Sequence, residues 1–254
     1  MDATKDDTGP ALPPAIEAAW GLRDRAPKGP RPGLTLAGIV EAAVRVADDE
    51  GLAAVSMGRV AKELGAGTMA LYRYVGAKDE LLTLMVDTAY GEPPGAGDDG
   101  RDWRAGLARW AWADRSALRR HPWMLLVPIA GPPLTPNSLA WLEDGLRCLA
   151  DTGLAENEKM SVILLVTGYV RNESLLTAQI VEGTRAAGIA PGELMPTYRR
   201  LVARVTDPQR FPALHRVLAA GVLDRDDDPD DEFVFGLERV LDGVAALIGR
   251  RTTG

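Results

Sequence analysis

The chain is poor in the residues that build covalent or metal-held frameworks, with one cysteine and two histidines among 254 residues. A single cysteine, Cys148, excludes an intramolecular disulfide and fits a reducing compartment. Neither His121 nor His215 has a Cys, Asp or Glu at the spacing typical of metal ligands. We therefore expect no metal site.

The signatures of common enzyme chemistry are missing as well. The sequence contains no G-x-S-x-G nucleophile elbow, no P-loop and no dinucleotide-binding fingerprint. An acidic stretch at 224–232 resembles a calcium loop only in composition, because the required glycine and the terminal glutamate spacing are lacking. We predict that the protein is not an enzyme and uses no cofactor.

Little in the sequence would direct the chain to a membrane. The acidic N-terminus lacks the basic and apolar regions of a signal peptide. The longest apolar run, at 162–170, is far shorter than a bilayer span. We expect a cytoplasmic protein with no membrane partner.

What the chain does contain is helix-forming sequence, rich in Ala and Leu, with glycines and prolines falling mostly between periodic segments. This favours an all-α fold. Residues 1–33 read as a flexible, partly basic leader, although 16–22 could form one short helical turn. The prediction for 34–90 is a helix-turn-helix domain, and 91–254 form a larger helical domain after a Gly/Pro-rich linker.

Three short helices are predicted over 35–75, the last two joined by a Gly-containing turn. Thr35 and Ser56 are plausible N-caps of the first two helices, and a glycine ends each of them. The third helix spans about 68–75, and a connecting helix follows at 78–90. Further helical patterns lie at about 101–120, 122–128, 136–151, 155–182, 193–205, 211–220 and 231–249.

The third helix has an outward face suited to a DNA groove. On a helical wheel, Leu71 and Val75 share the inward face, whereas Met69 and Arg73 point away from it. A major groove accepts one helix, in which arginine suits guanine or phosphate and methyl groups suit thymine. The alternative is an ordinary surface helix whose long side chains pack along it.

The net charge of −7 argues at first against a nucleic-acid partner, but the acid load lies elsewhere. Residues 21–80 hold nine Lys/Arg and eight acids, and 23–32 alone hold four cations and one acid. Lys28 and Arg31 could form a basic arm that enters the minor groove or contacts phosphate. The alternative is a solvated tail.

Residues 56–87, SMGRVAKELGAGTMALYRYVGAKDELLTLMVD, resemble the DNA-binding signature of the TetR family of bacterial transcriptional repressors. Residues 20–40 resemble a subgroup with an N-terminal extension. The segment HPWMLLVPIAGPPLTPNSLAWLEDGLRCLADTGL (121–154) resembles the ligand-binding domain of the tetracycline-repressor-like branch. The resemblance implies that 91–254 form a ligand-binding and dimerisation domain.

The resemblance also implies which residues contact an operator. Residues in the first turn of the recognition helix would face bases, later ones would hold phosphates, and the start of the second helix would touch the backbone. With Arg73 from the wheel, the predicted contacts are Ser56, Met57, Thr68, Met69, Ala70, Tyr72, Arg73, Tyr74 and Lys78. Gly58 and Gly67 depart from the family pattern, so the operator sequence does not carry over.

Five of the six tryptophans lie in 103–141, which is typical of a core or of the lining of an apolar pocket. Polar residues on the long helix at 155–182 would need a ligand or a core network. The ligand-contact candidates are Trp110, Trp123, Met124, Trp141, Tyr169, Asn172, Glu173 and Leu176.

Two helices are apolar enough to form a dimer interface, although the core of one chain could also absorb them. The family resemblance favours a four-helix interface with two helices from each chain, which suits a two-fold DNA site. The predicted interface residues are Val162, Leu165, Phe233, Leu237, Leu241, Val244 and Ile248.

Together these observations predict a homodimeric repressor that binds a pseudo-palindromic double-stranded operator. A small, largely apolar ligand would tilt the helix at 78–90 and release the DNA. Two alternatives stay open: a DNA-binding regulator with no small-molecule ligand, and a helical enzyme.

Overall fold

The computed structural model describes residues 12–22, 34–95, 102–129, 131–190, 192–224 and 228–252. Over these residues the regular structure is helical and contains no strand. The predicted all-α fold is therefore confirmed. The helices are α1 (Pro14–Ala19), α2 (Leu36–Glu50), α3 (Met57–Glu63), α4 (Thr68–Leu71), α5 (Lys78–Tyr90), α6 (Trp103–Arg120), α7 (Pro136–Cys148), α8 (Glu156–Ala186), α9 (Leu194–Val205), α10 (Pro212–Ala219) and α11 (Asp231–Thr252).

The N-terminal helices begin and end where the local sequence chemistry requires. The hydroxyl of Thr35 accepts a hydrogen bond from Gly38 N at 3.0 Å, and that of Ser56 accepts one from Arg59 N at 3.1 Å. Each bond satisfies an amide that the first helical turn leaves free. Gly51, with φ of 83°, ends α2 in a conformation that other residues rarely adopt. These predicted helix limits are confirmed.

Helix α4 is shorter than predicted: its regular part ends at Leu71, whereas the sequence predicted a helix over about 68–75. The chain continues as a tight turn in which Tyr74 N donates to Leu71 O, a bond across three residues. Val75 N donates to the same carbonyl and closes the turn, so Val75 still reaches the core. The helix-turn-helix is nevertheless present, since α3 and α4 share the core of α2 and α5.

The larger region is a bundle in which α6 packs against α7 and α8, while α11 packs along α8. Close approach of α6 and α7 depends on small residues: a methyl group at Gly106 would meet Cys148 Sγ at 3.0 Å. Its core holds residues from four helices, including Leu107, Trp141, Val166 and Phe233. In the described parts of the chain no helix is long and apolar enough to cross a membrane.

The leader is not wholly separate from the fold. Residues 14–19 form α1, and the side chains of Ala15 and Ile16 are buried in the common core. The expectation of a flexible leader over 1–33 is therefore corrected for the described residues 12–22, because burial of apolar side chains fixes this segment. Lys28 and Arg31 lie outside the described residues.

Candidate nucleic-acid interface and its connection to the larger domain

The turn between α3 and α4 and the exposed side of α4 form the candidate nucleic-acid interface. Leu71 and Val75 are fully buried against the other helices of the unit. Met69 is 78% exposed and Tyr72 is 46% exposed, while Arg73 is also exposed. The wheel prediction thus agrees with the structure: an apolar side anchors α4, and a side with a cation and aromatics faces outward.

The other predicted DNA contacts divide by burial. Thr68, Ala70 and Tyr74 are half-buried, and Lys78 is exposed at the first residue of α5. Ser56 is exposed, with its hydroxyl engaged in capping α3. The prediction that Met57 touches DNA is corrected for its side chain, which is buried in the core because it lies on the inner face of α3.

An ion pair at the edge of this interface joins α3 to α2, and a second lies within α3. The Arg59 guanidinium lies 2.5 Å from Glu50 at the end of α2 and 2.9 Å from Glu63 on its own helix. Its hydrogen bond lowers the pKa of the Glu50 carboxyl. Arg59 is therefore paired within the protein, whereas Arg73 and Lys78 are exposed cations of the candidate interface.

The helix-turn-helix unit is joined to the larger region by polar contacts, the first of which involves α2. Asp48, near the end of α2, has one carboxylate oxygen 2.8 Å from His121 Nδ1 and 2.6 Å from Trp123 Nε1. Trp123 is buried, so this indole serves as a contact between the two regions as well as core. A predicted ligand residue thereby acquires a structural role.

Helix α5 makes the second connection, through its last turn. The buried Asp87 carboxylate accepts from Ser138 N at 2.9 Å and from the Ser138 hydroxyl at 3.2 Å, at the start of α7. The Trp141 indole donates to Gly91 O at 3.0 Å. Since Gly91 caps α5, the end of this helix is fixed to α7 by backbone and side chain together.

The last residue of α5 contacts a buried acid on α6. Tyr90 donates its hydroxyl hydrogen to Asp114 Oδ1 at 3.1 Å, and Asp114 on α6 is only 3% exposed. Burial raises the pKa of Asp114 to about 7, although the Tyr90 hydrogen bond and the positive charge of Arg171 oppose the rise. Burial also raises the pKa of Tyr90. Tyr90 and Asp114 therefore form a buried polar pair between α5 and α6.

Tyr90, the partner of that acid, also belongs to an aromatic cluster. The rings of Tyr90 and Trp141 are 5.5 Å apart between centroids, and those of Trp110 and Trp141 are 5.8 Å apart. Trp110 donates its indole N–H to Trp141 O at 3.0 Å. Two of the predicted ligand residues are therefore brought together with Tyr90 and Asp114, which sequence reasoning missed.

The predicted ligand residues of α8 do not join this cluster. The Tyr169 hydroxyl donates to Phe233 O at 2.9 Å, and Glu173 lies 3.1 Å from Arg115. Asn172 and Leu176 are exposed on α8, and their role as ligand contacts stays a prediction. Met124, also predicted, is buried beside Trp123 in the short 3-10 segment Pro122–Leu126.

The missed residues had a partial signal in the sequence. Asp114 follows Leu107 and Trp110 at intervals of seven and four, so it lies on the apolar face of α6. An acid on such a face marks a buried polar contact. No local pattern links Asp48 to His121, since the partners are 73 residues apart.

The predicted dimer stripe lies largely inside one chain. The side chains of Val162, Phe233, Leu237, Leu241 and Val244 are buried within the monomer, and Ile248 is half-buried. The prediction is corrected for the five buried side chains, because the apolar stripe of α11 packs on α8 of its own chain, and it stays a prediction for Leu165 and Ile248. Leu165 is 53% exposed, and the other exposed apolar side chains of these two helices include Met160, Leu164, Val234 and Phe235.

Comparison with known proteins points to one family. A family model described as "Bacterial regulatory proteins, tetR family" matches residues 39–85, and one described as "Tetracyclin repressor-like, C-terminal domain" matches residues 96–248. The chain is 38% identical over 240 residues to HTH-type transcriptional repressor DrrR1 of Streptomyces coeruleorubidus, covering 93% of this chain and 86% of that one.

Two further likenesses cover similar spans. An HTH-type transcriptional regulator of Saccharopolyspora erythraea is 30% identical over 251 residues, which are 97% of this chain and 98% of that protein. The crystal structure of the Streptomyces coelicolor TetR family protein ActR in complex with actinorhodin superposes with a TM-score of 0.73. It is 27% identical and covers 85% of this chain and 97% of the ActR chain.

Proposed function

We propose, because this chain belongs to the TetR family of bacterial transcriptional regulators, that it is a homodimeric repressor which a small, largely apolar ligand releases from its operator. The family assignment supports DNA binding through the helix-turn-helix. The single observation that carries the proposal for this chain is the division of α4 into a buried apolar side and an exposed side with Met69, Tyr72 and Arg73.

The exposed side of α4 has the chemistry of a groove reader. Arg73 supplies a guanidinium for a guanine edge or a phosphate, and Met69 supplies an apolar contact for the thymine methyl group. Gly67 and Ala70 are small, so the backbone of the helix start can approach the base edges closely. Tyr72, Tyr74 and Lys78 would hold phosphates on either side.

Dimerisation is supported by the apolar side chains that α8 and α11 leave exposed. Leu164, Leu165 and Phe235 project from helices whose opposite sides already form the core. A second copy that covers them would bring two α4 helices into a symmetric pair. Such a pair reads half-sites one helical turn apart, about 34–36 Å along the duplex.

The ligand proposal rests on the aromatic cluster around Tyr90, Trp110 and Trp141. Aromatic side chains with a few fixed polar groups are typical of sites for drug-sized molecules. ActR, whose structure was solved with actinorhodin, supports a ligand of this general kind. In the proposed site the Asp114 carboxyl would offer the polar contact that orients an otherwise apolar molecule.

Release would follow from the position of this cluster at the end of α5. A ligand that separates Tyr90 from Asp114 or displaces Trp141 would shift α5, and α5 carries the turn that follows α4. The ligand must bind the released state more tightly than the DNA-bound state, since only a difference in affinity shifts the equilibrium.

Footprinting of the purified protein on the DNA that flanks its own gene tests the DNA part of the proposal. A protected two-fold sequence is expected, with half-sites one helical turn apart. Loss of protection in the Arg73→Ala variant would show that α4 and the turn after it contact the operator. No protection at any flanking sequence, at low salt and micromolar protein, would refute the proposal.

A screen of polycyclic aromatic compounds, with actinorhodin as the first probe, tests the ligand part. A stabilising compound should raise the thermal midpoint and lower operator affinity, and Trp141→Ala should weaken both effects. A compound that binds tightly without altering operator affinity would refute the switch. Absence of any stabilising compound would favour a regulator with no small-molecule ligand.

A further inference from the structure

Helix α1 touches both halves of the molecule, although it lies outside the matched family domains. The N-terminal family match begins at residue 39, whereas α1 spans Pro14–Ala19. Ala15 and Ile16 are 1% and 5% exposed and belong to the same apolar core as α2 and α5. A six-residue helix is unstable alone, so its order depends on these contacts.

One carboxylate joins α1 to the turn that follows the reading helix. Glu80 Oε1 accepts from Ala15 N at 2.9 Å, and Glu80 Oε2 accepts from Gly76 N at 2.7 Å. Gly76 lies between α4 and α5, and its N–H is held by this side chain. The position of the turn after α4 is therefore set by a side chain whose other oxygen is held by α1.

The far end of α1 is fixed to the larger region. Trp20, the residue that caps α1, donates its indole N–H to Leu134 O at 2.8 Å. Leu134 immediately precedes Thr135, the N-cap of α7. Helix α1 thus bridges the turn after α4 on one side and the start of α7 on the other.

We propose that α1 and Trp20 are positioning elements for DNA reading: they fix the direction of α4 relative to the larger domain, and so restrict the half-site spacing that the dimer accepts. This inference rests on the proposed function of a dimeric operator-binding protein. The mechanism is a restraint, because the Glu80 carboxylate holds the α4–α5 turn only as firmly as α1 holds its place against α7.

If α1 only stabilised the fold, its removal would have a different effect on operator binding. Its loss would lower overall stability and weaken binding to every operator by the same factor. A positioning α1 predicts a selective effect, because a looser α4 tolerates half-sites at the wrong separation. Discrimination between spacings is therefore the informative readout, and overall affinity is not.

The main experiment compares two truncations that both keep the basic segment at 23–33. One lacks residues 1–22 and loses α1, and the matched control lacks only residues 1–11. Each is measured against the footprinted operator and against versions whose half-sites are one base pair closer or farther apart. Loss of α1 should reduce discrimination against the wrong spacings by about two- to tenfold, as expected for losing one or two hydrogen bonds.

Point variants keep the test valid if the truncation fails to fold. Trp20→Phe keeps the ring but removes the N–H that Leu134 O accepts, and should reproduce part of the loss of discrimination. Leu22→Ala is the matched control, since Leu22 is 70% exposed and close to Trp20 in sequence. The proposal would be overturned if Trp20→Phe and the truncation lacking residues 1–22 both discriminate between half-site spacings as strongly as the full chain does.

Hydrogen exchange supplies a readout that needs no DNA. Amides around Gly76 should exchange faster in the truncation lacking 1–22 and in Trp20→Phe, and at the full-chain rate in Leu22→Ala. Unchanged exchange there would overturn the positioning role even if the protein bound no operator. If the full chain binds no DNA but the exchange rises as expected, the proposed function has failed, whereas the restraint by α1 on the α4–α5 turn is supported.

Discussion

Replacement of Asp114 by Asn should change how the stability of the protein depends on pH. Burial raises the pKa of this carboxyl from 3.8 to about 7. In the unfolded chain the group ionises near pH 4, whereas the folded protein keeps the proton until about pH 7. Between these values the folded state binds more protons than the unfolded state, so stability falls as pH rises through this window.

The size of the effect follows from the shift. At about 1.4 kcal/mol for each pKa unit, the full cost of ionising buried Asp114 is about 4 kcal/mol, and about 3 kcal/mol of it falls between pH 5 and pH 8. Asn keeps an oxygen that can accept the Tyr90 hydroxyl hydrogen but cannot ionise. We therefore expect Asp114→Asn to gain about 3 kcal/mol relative to the natural protein between those two pH values.

Urea unfolding followed by circular dichroism at pH 5, 6, 7 and 8, at one fixed protein concentration, measures this difference. Comparing the two proteins at each pH cancels the contributions of all other titrating groups. Asp151→Asn is the matched control, because Asp151 lies exposed in the turn between α7 and α8. Parallel curves for Asp114→Asn and the natural protein would refute the reasoning that burial suppresses ionisation at this site.

Three further outcomes are expected. Arg73→Ala should weaken operator binding by about ten- to a hundredfold and leave the thermal midpoint unchanged, since the side chain is exposed; equal affinity in a gel-shift titration would contradict the role of α4. Phe235→Glu should shift the proposed dimer toward monomer in sedimentation, because it places a charge on an apolar patch; an association state equal to that of the natural protein would contradict an interface at Phe235. Asp48→Ala should lower the free energy of unfolding by about 1–3 kcal/mol, since it leaves the N–H groups of His121 and Trp123 without their acceptor. Equal free energies of unfolding in Asp48→Ala and the natural protein would contradict the account.

Local features of this molecule could be predicted from the sequence because their causes are local. The caps of α2 and α3 follow from side-chain chemistry within a few residues, and α5, Lys78–Tyr90, ends at Gly91, which has a φ of 62°. The two-sided character of α4 follows from the helical period. The predicted membership of the TetR family is confirmed by two family matches and by a relative of 38% identity.

Features that depend on which surfaces meet could not be predicted in the same way. The apolar stripe of α11 is equally suited to its own α8 and to a partner chain, and the structure packs it on α8. The sequence indicated a possible helical turn at 16–22, but it gave no sign that α1 is held by acceptors at Glu80 and Leu134, far along the chain. Periodicity predicts that a face is buried but does not identify what covers it.

The polar contacts of α5 explain how a change in the larger domain could reach the DNA-reading helix. Glu80 and Asp87 are two turns apart, and Tyr90 follows within one more, so all three project to one side of the helix. Glu80 contacts the α4–α5 turn and α1, Asp87 contacts the start of α7, and Tyr90 contacts α6. Helix α5 is therefore tied at both ends across about 15 Å, the length of ten helical residues. A rigid helix held in this way cannot adjust at Tyr90 alone: displacement of its last turn must either break the Glu80 contacts or carry the turn after α4 with it.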